Sequence, residues 1–229
     1  MAPTASANPS SDTRPSTAAL VERERAALVA TLRSLGPDAP TLCEGWTTRD
    51  MLAHMVVRER RPDVLPGIGL PGPARSHTAA VQDEFAARDW GTLLVTFSRG
   101  PAPWMPFALP GVGPAINIAE YVVHHEDARR ATPGWEPRED ADLQQAAWAA
   151  VSRAARLTHR KAPVGVVLVA PGTGRAAVRR PPAGRNTVVV TGEPVELLLF
   201  SFGREDAARV TLEGDPADVA ALRAHRRAL

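Results

Sequence analysis

Cysteine, tyrosine and lysine are nearly absent from this sequence, with one residue of each among 229. The single cysteine, Cys43, excludes an internal disulfide and a cysteine-rich zinc module. No apolar run approaches the roughly 20 residues of a membrane-spanning helix, and the first residues lack the basic and apolar segments of a secretory signal. We therefore expect a cytoplasmic protein with no membrane partner.

The excess of positive charge is small. The pI is about 9.3, yet the formal net charge is only +2, because few groups titrate between the carboxylates and the arginines. Residues 1–150 carry 14 basic and 18 acidic side chains, whereas residues 151–229 carry 13 and 7. This asymmetry favours two domains. No stretch interleaves basic and aromatic side chains, so we expect no nucleic-acid partner.

The pattern of apolar residues changes near residue 162. Residues 1–15 are polar and rich in proline and serine, which predicts a disordered tail. Helical periodicity then covers 17–34, 47–61, 76–98, 114–131 and 138–160, with Trp90-Gly91 as a candidate break in the third segment. It predicts four long bundle helices with one accessory helix in a domain over 16–161. Thr47 and Asp50 have the spacing of a capping box.

The residues that follow predict strands. After Pro163, three β-branched runs at 164–170, 175–180 and 186–190 are separated by Pro/Gly turns. A helix over Glu193–Phe202, a strand at 208–214 and a helix over Pro216–Arg227 complete the pattern. The predicted fold class is therefore α+β, with a helical bundle followed by a small α+β domain over 162–229.

One predicted helix, 114–131, carries a pair of side chains suited to a metal. Glu120 and His124 are four residues apart, so they lie on the same face of the helix. A carboxylate on the core-facing side of a helix destabilises the fold unless a positive charge lies beside it. The pair is either two metal ligands from adjacent turns or a surface contact between a glutamate and a histidine.

His54, in the predicted helix 47–61, is a candidate third ligand. Two antiparallel helices would bring it opposite Glu120 and His124, and two histidines with one glutamate form the ligand set of a catalytic zinc site with an open fourth position. The alternative is a core histidine without a metal. Asp50, one turn earlier, either fixes the second nitrogen of His54 or only caps the helix, and we favour the cap.

Two further residues are candidates with an ordinary alternative. Arg58 lies one turn after His54 on the same face, so it either binds a substrate carboxylate as a catalytic residue or belongs to a solvated helix end. Cys43 is either a reactive thiol or an inert, partly buried side chain, and we favour the latter. In the Pro-rich loop 100–114, Trp104 and its apolar neighbours either wall a pocket or pack the loop onto the bundle.

The stretch Cys43-x-Gly45-Trp46-Thr47-x-x-Asp50-x-x-x-His54 resembles the opening signature of the mycothiol-dependent maleylpyruvate isomerase family. Glu120 and His124 match that family's later Glu-x-x-x-His pair, and residues 191–197 and 213–215 resemble its second domain. The resemblance implies a DinB-like four-helix bundle, an SCP2-like α+β domain, and a metal, expected to be zinc, held by His54, Glu120 and His124.

The resemblance also implies a function. A metal-dependent enzyme of this type uses mycothiol as a thiol cosubstrate, and we expect an isomerase or S-transferase acting on an electrophilic small molecule. The metal would hold the thiol as the reactive thiolate. Two alternatives stay open, a metal-dependent hydrolase that activates water and a non-catalytic metal- or ligand-binding protein. Neither the substrate nor the oligomeric state follows from the sequence.

Overall fold

The helices begin where side chains can cap them. Thr47 and Asp50 form the predicted capping box, in which the Thr47 hydroxyl accepts from the Asp50 amide and the Asp50 carboxylate accepts from the Thr47 amide. The side chains of four other N-cap residues each accept from a backbone amide in the first turn of their helix: Ser16, Asp89, Asp140 and Asp215. The capping prediction is thus confirmed.

The computed structural model describes residues 14–67 and 72–225. Residues 1–13 of the predicted disordered tail, 68–71 of the predicted loop after Arg61, and Arg226–Arg227 of the last predicted helix lie outside the described ranges. The α-helices are α1 (Thr17–Leu35), α2 (Thr48–Arg60), α3 (Pro73–Ala86), α4 (Trp90–Ser98), α5 (Val112–Arg129), α6 (Ala141–Thr158), α7 (Pro194–Ser201) and α8 (Pro216–Ala224).

The segment predicted as helical over 76–98 is broken into two helices, α3 and α4, close to the candidate break at Trp90-Gly91. The interruption falls before Asp89, because its carboxylate accepts the Thr92 amide and starts a new helix there. Helix α5 begins two residues before Pro114, since proline is tolerated in the first helical turn. Every helix in the described ranges is too short or too polar to span a lipid bilayer.

Within the described ranges, all strands lie after residue 164, as the sequence predicts. They are β1 (Gly165–Ala170), β2 (Gly174–Arg179), β3 (Thr187–Thr191) and β4 (Thr211–Glu213), in the sheet order β2-β1-β3-β4. Strand β1 is antiparallel to β2 and parallel to β3, and β4 is antiparallel to β3. The chain is therefore a mixed helical and sheet protein, and its division into two domains at 161/162 stays a prediction.

The helices and the sheet share one continuous core. Helix α1 packs along α5, α2 packs against α3 and α4, and α6 packs against both α7 and β2. At the α6–β2 contact the Trp148 ring lies so close to Gly174 that a Cβ there would be 2.7 Å from the indole nitrogen. Only glycine fits beneath this ring, so the close contact between helix and sheet depends on that residue.

Buried ion pairs also join the N-terminal helices to the C-terminal part. Arg130, at the end of α5, donates to both carboxylate oxygens of Glu196 on α7 at 2.8 and 2.7 Å, and to Glu126. Both side chains of the Arg130–Glu196 pair are essentially buried. A two-pronged pair of this kind fixes orientation as well as distance, so it sets how α7 sits on α5.

Glu24, on α1, is expected to make the stability of the protein sensitive to acid. It is buried and accepts from Arg138 at 2.7 and 2.8 Å and from His125 Nδ1 at 2.8 Å. Burial raises its pKa, but these hydrogen bonds outweigh burial and lower it to about 2 from the ordinary 4.5. The lowered pKa stabilises the folded state above about pH 4.5, and this contribution is lost as the pH falls towards 2.

Glu24→Gln should therefore lower the free energy of unfolding by about 3 kcal/mol at pH 7. Urea titrations of wild type and variant at pH 7, 4.5 and 3 should show the difference shrinking below pH 4.5. Glu84→Gln, at an exposed position of α3, is the matched control and should change stability by less than about 1 kcal/mol. A Glu24 effect that is the same at all three pH values would contradict the assignment.

Candidate metal centre

The three predicted ligands meet between α2 and α5. One donor atom each from His54, Glu120 and His124 lies within 4.8 Å of the other two. The imidazole rings of His54 and His124 are 5.3 Å apart between centroids, and His124 Nε2 is 3.8 Å from Glu120 Oε2. The capping box fixes the start of α2 and thereby the turn that carries His54. We call these three residues the donor cluster.

The second nitrogen of each histidine has a polar partner. His54 Nδ1 lies 3.4 Å from Gln82 Oε1 of α3, and His124 Nδ1 lies 3.0 Å from Asp127 Oδ2. Both contacts leave Nε2 as the remaining nitrogen for a metal. A histidine ligand held through its other nitrogen by a carboxylate or an amide is typical of metal sites, so the residues present fit a metal ion.

Asp50 does not take the orienting position beside His54. Its Oδ2 accepts from the amide and the hydroxyl of Thr47 at 2.8 and 2.7 Å. This is the capping role that the sequence favours, and Gln82 has the contact with His54 instead. The Trp46 ring covers another side of His54, with centroids 5.1 Å apart.

Substitutions can separate the capping of α2 by Asp50 from the support of His54 by Gln82. Asp50→Ala should lower the free energy of unfolding by about 1 kcal/mol through loss of the cap and leave metal affinity within twofold. Gln82→Ala should lower metal affinity about tenfold with little effect on stability. Urea unfolding of the metal-free proteins and competition with a chromogenic chelator measure the two quantities. A larger loss of metal affinity in Asp50→Ala than in Gln82→Ala would contradict the assignment.

Arg58 is buried rather than solvated, so the solvated helix end is a wrong interpretation. Its Nη1 donates to Asn117 at 2.9 Å, its Nε is 3.5 Å from Glu120 Oε2, and its guanidinium stacks on the Phe107 ring at 3.9 Å. The predicted contact with a substrate carboxylate stays a prediction.

The charges around the cluster hold Glu120 ionised. Burial raises the pKa of Glu120, but the positive charges of Arg58 and His124 outweigh burial and hold it below its ordinary value. Burial, reinforced by the charge of His124, lowers the pKa of His54 to about 4. Burial also acts to lower the pKa of His124, but hydrogen bonds with Asp127 and Cys43 raise it to about 10. The cluster therefore combines one ionised carboxylate with two histidines whose pKa values are shifted in opposite directions.

Arg204, from the loop after α7, reaches the centre from the C-terminal part. It donates to both oxygens of Asp127, from Nε at 2.9 Å and from Nη2 at 2.7 Å. Burial raises the pKa of Asp127, but His124 and Arg204 hold it well below its ordinary range. A chain of contacts thus runs from Arg204 through Asp127 to the candidate ligand His124.

Cys43 lies beside the same residues, which the sequence did not indicate. Its Sγ is 3.2 Å from Asp127 Oδ2, 3.3 Å from Arg204 Nη2 and 4.0 Å from His124 Nδ1. Cys43, His124 and Asp127 form a second group whose donor atoms lie within 4.8 Å of one another. Arg204 already donates to two of its three members, and this positive charge disfavours a cation there. The donor cluster around His54 is therefore the better metal candidate.

Sequence reasoning missed the supporting residues Gln82 and Arg204. Asp127 lies one turn after His124, and helical spacing already places it near the face that carries Glu120 and His124. Gln82 and Arg204 come from α3 and from the loop after α7, far along the chain from the candidate ligands beside them. No local pattern marks either residue, because their role depends on how separate elements pack.

The fold of the chain is similar to that of solved enzyme structures. A crystal structure of a mycothiol-dependent maleylpyruvate isomerase, in a histidine-to-alanine variant, matches with a TM-score of 0.54 and 16% identity over 85% of this chain and 90% of that chain. A second structure of a mycothiol-dependent maleylpyruvate isomerase matches with a TM-score of 0.50 and the same identity and coverage. No protein-family model and no curated protein matches the sequence. At 16% identity, the chain shares a fold with these isomerases.

Proposed function

We propose that the protein is a zinc-dependent enzyme that uses the thiol of mycothiol to act on an electrophilic small molecule, as an isomerase or an S-transferase. The observation that carries the proposal is the donor cluster of two histidines and one glutamate between α2 and α5. The similarity in fold to mycothiol-dependent isomerases supports the same conclusion. In this proposal the N-terminal helices are a DinB-like bundle and the C-terminal part is SCP2-like.

The donor set suits zinc in a catalytic setting. Zinc in enzymes is commonly held by three protein ligands of nitrogen and oxygen type, with the fourth position left for water or substrate. His54 and Glu120 are partly exposed and His124 is buried, so the cluster is reached from the side of His54 and Glu120. When bound, the metal supplies a positive charge that holds the cosubstrate thiol as a thiolate.

The residues of the chain position this chemistry. Asp127 and Gln82 would fix the two histidine rings so that Nε2 of each faces the metal. Arg58 would act as a positioning residue, because its buried guanidinium keeps Glu120 ionised and limits the rotamers that the Glu120 side chain can adopt. Arg204 would hold Asp127 in place from the C-terminal part, so that both parts of the chain contribute to one centre.

Metal analysis followed by thiol titration tests the proposal. The purified protein should hold one zinc per chain, and His54→Ala should hold much less. Mycothiol added to the cobalt-substituted protein should produce a sulfur-to-cobalt charge-transfer band, and S-methyl mycothiol should not. The Cys43→Ser variant is the control, because a band from the protein's own thiol would disappear in it.

Each alternative function has its own outcome in this experiment. A protein that holds zinc but shows no band with mycothiol, and that hydrolyses an ester or amide only when zinc is bound, would be a metal-dependent hydrolase. A protein that holds zinc and does neither would be a non-catalytic metal-binding protein. If the purified protein holds no zinc, and His54→Ala does not change its metal content, the metal has to be removed from the proposal.

A further inference from the structure

One face of helix α6 is left open by the rest of the fold. The opposite face packs against α5, α7 and β2, and it buries six side chains: Leu143, Ala147, Ala150, Val151, Ala155 and Thr158. The open side carries exposed or half-buried residues at intervals of three and four, which place them on one face. We call these six residues, from α6 and the turn after it, the open face: Asp142, Ala146, Ala149, Arg153, Leu157 and Arg160.

The two ends of the open face carry opposite charges. Asp142 lies in the first turn of α6, whereas Arg153 and Arg160 lie towards the other end. Residues 143–192 hold eight lysines and arginines and no aspartate or glutamate, so the arginine end has no acidic neighbour along the chain. Among the residues that the structure describes, none of the three side chains forms an ion pair. Both ends of the face are therefore available to a charged partner.

The arginine end also carries an exposed leucine, and the acidic end carries a groove. Leu157 is 55% exposed, and the other exposed large apolar side chains of the described ranges lie between residues 95 and 116. The groove has a volume of about 160 Å³, and its lining includes Leu20 of α1 and four residues of α6: Asp142, Gln145, Ala146 and Ala149. Arg14 also lines it and has an interaction of its own in the chain, whereas the Asp142 carboxylate has none in the described ranges. The groove thus offers apolar surface beside an unpaired anion.

A two-fold axis across α6 would bring the leucine and the groove together. In an antiparallel pair of identical helices, residues at equal distances on either side of the axis face each other. Leu157 follows the level of Gln145 and Ala146 by about 17 Å along the helix. An axis near residue 151 therefore places the partner subunit's Leu157 over the groove and the partner subunit's Arg160 beside Asp142. The symmetry repeats both contacts on the other side of the axis.

From these observations we infer that a second copy of this chain docks on the open face, with α6 of the two subunits antiparallel. Leu157 of each subunit fills the groove of the other, which removes apolar surface from water, and Asp142 of each pairs with Arg160 of the other. The inference is independent of the proposed function, because no residue of the donor cluster takes part. A single pair of helices makes a small interface, so we expect a weak dimer with a dissociation constant of about 1–100 µM.

Sedimentation equilibrium of the full chain tests the inference. Between about 1 and 300 µM, wild type should change from monomer to dimer. Asp142→Arg and Arg160→Asp should each weaken the dimer by about tenfold or more, because like charges then face each other. An equimolar mixture of these two variants should dimerise again, because both contacts between unlike subunits then join opposite charges. Leu157→Ser should weaken the dimer about tenfold, and Leu109→Ser, at an exposed apolar position outside α6, should leave it unchanged.

The mixing experiment separates docking from a loss of stability, because a variant that is merely destabilised would not recover when mixed. The inference is overturned if wild type stays monomeric, or if the mixture stays monomeric while circular dichroism shows both variants folded. It is also overturned if Leu109→Ser abolishes the dimer and Leu157→Ser does not, since the interface would then lie on the Pro-rich segment. A monomeric wild type that dimerises once residues 2–13 are deleted would mean that those residues, and not a second copy, occupy the groove.

Discussion

Glu120→Gln is expected to lower the affinity of the protein for zinc by at least a hundredfold. Replacing a residue that only supports a ligand typically costs ten- to a hundredfold, and a direct ligand should cost more. The amide keeps the shape of the side chain but removes the anion, and a neutral amide oxygen is the weaker zinc ligand. Competition with a chromogenic chelator measures the affinity, and Glu84→Gln on α3 is the matched control.

The same substitution should leave the metal-free protein within about 1 kcal/mol of wild type. Glu120 is only partly buried, and exposed or half-exposed ion pairs contribute little to stability. Bound zinc should raise the unfolding temperature of wild type by mass action and should have little effect on the variant. If Glu120→Gln instead unfolds the protein with or without metal, Glu120 is a structural partner of Arg58 and the metal proposal loses its anionic ligand.

The placement of the donor cluster could be predicted because its three residues lie on two regular helices. The interval of four between Glu120 and His124 fixes their common face whatever the rest of the fold does. The capping box at Thr47 and Asp50 fixes where α2 starts, and with it the turn that carries His54. Helical spacing and capping are local properties, so a single sequence carries them.

The environment of Arg58 and Cys43 could not be predicted, because it depends on packing between distant elements. Charged neighbours at 59–61 suggest a solvated Arg58, yet Phe107 of the Pro-rich segment covers it. Arg204 lies 161 residues after Cys43 and still donates to its sulfur. Nothing near Cys43 in the sequence indicates this contact, because the folding of α7 onto α5 and α6 creates it.

Asp127 on α5 links the N-terminal helices to the C-terminal part, and replacing it should have the second large effect on the protein. Asp127 is fully buried and is shared by His124, Arg204 and Cys43. Asp127→Asn removes the carboxylate and leaves the mostly buried Arg204 without its anion. Removing one partner of a buried ion pair typically costs about 3–5 kcal/mol, so we expect a loss of this size in the metal-free protein. Urea unfolding measures it, and Asp83→Asn, at an exposed position of α3, is the control.

Asp127→Asn should also lower zinc affinity by ten- to a hundredfold, because the amide no longer supports His124 as a carboxylate does. The double variant Asp127→Asn/Arg204→Met separates the two effects. Removing the unpaired guanidinium should recover part of the stability, which appears as a coupling energy between positions 127 and 204. Zinc affinity should stay low, because Arg204→Met does not restore the contact with His124. Recovery of zinc affinity in the double variant would mean that Asp127 acts only by neutralising Arg204. Recovery of stability alone would establish that one carboxylate both orients a metal ligand and holds the C-terminal part against α5.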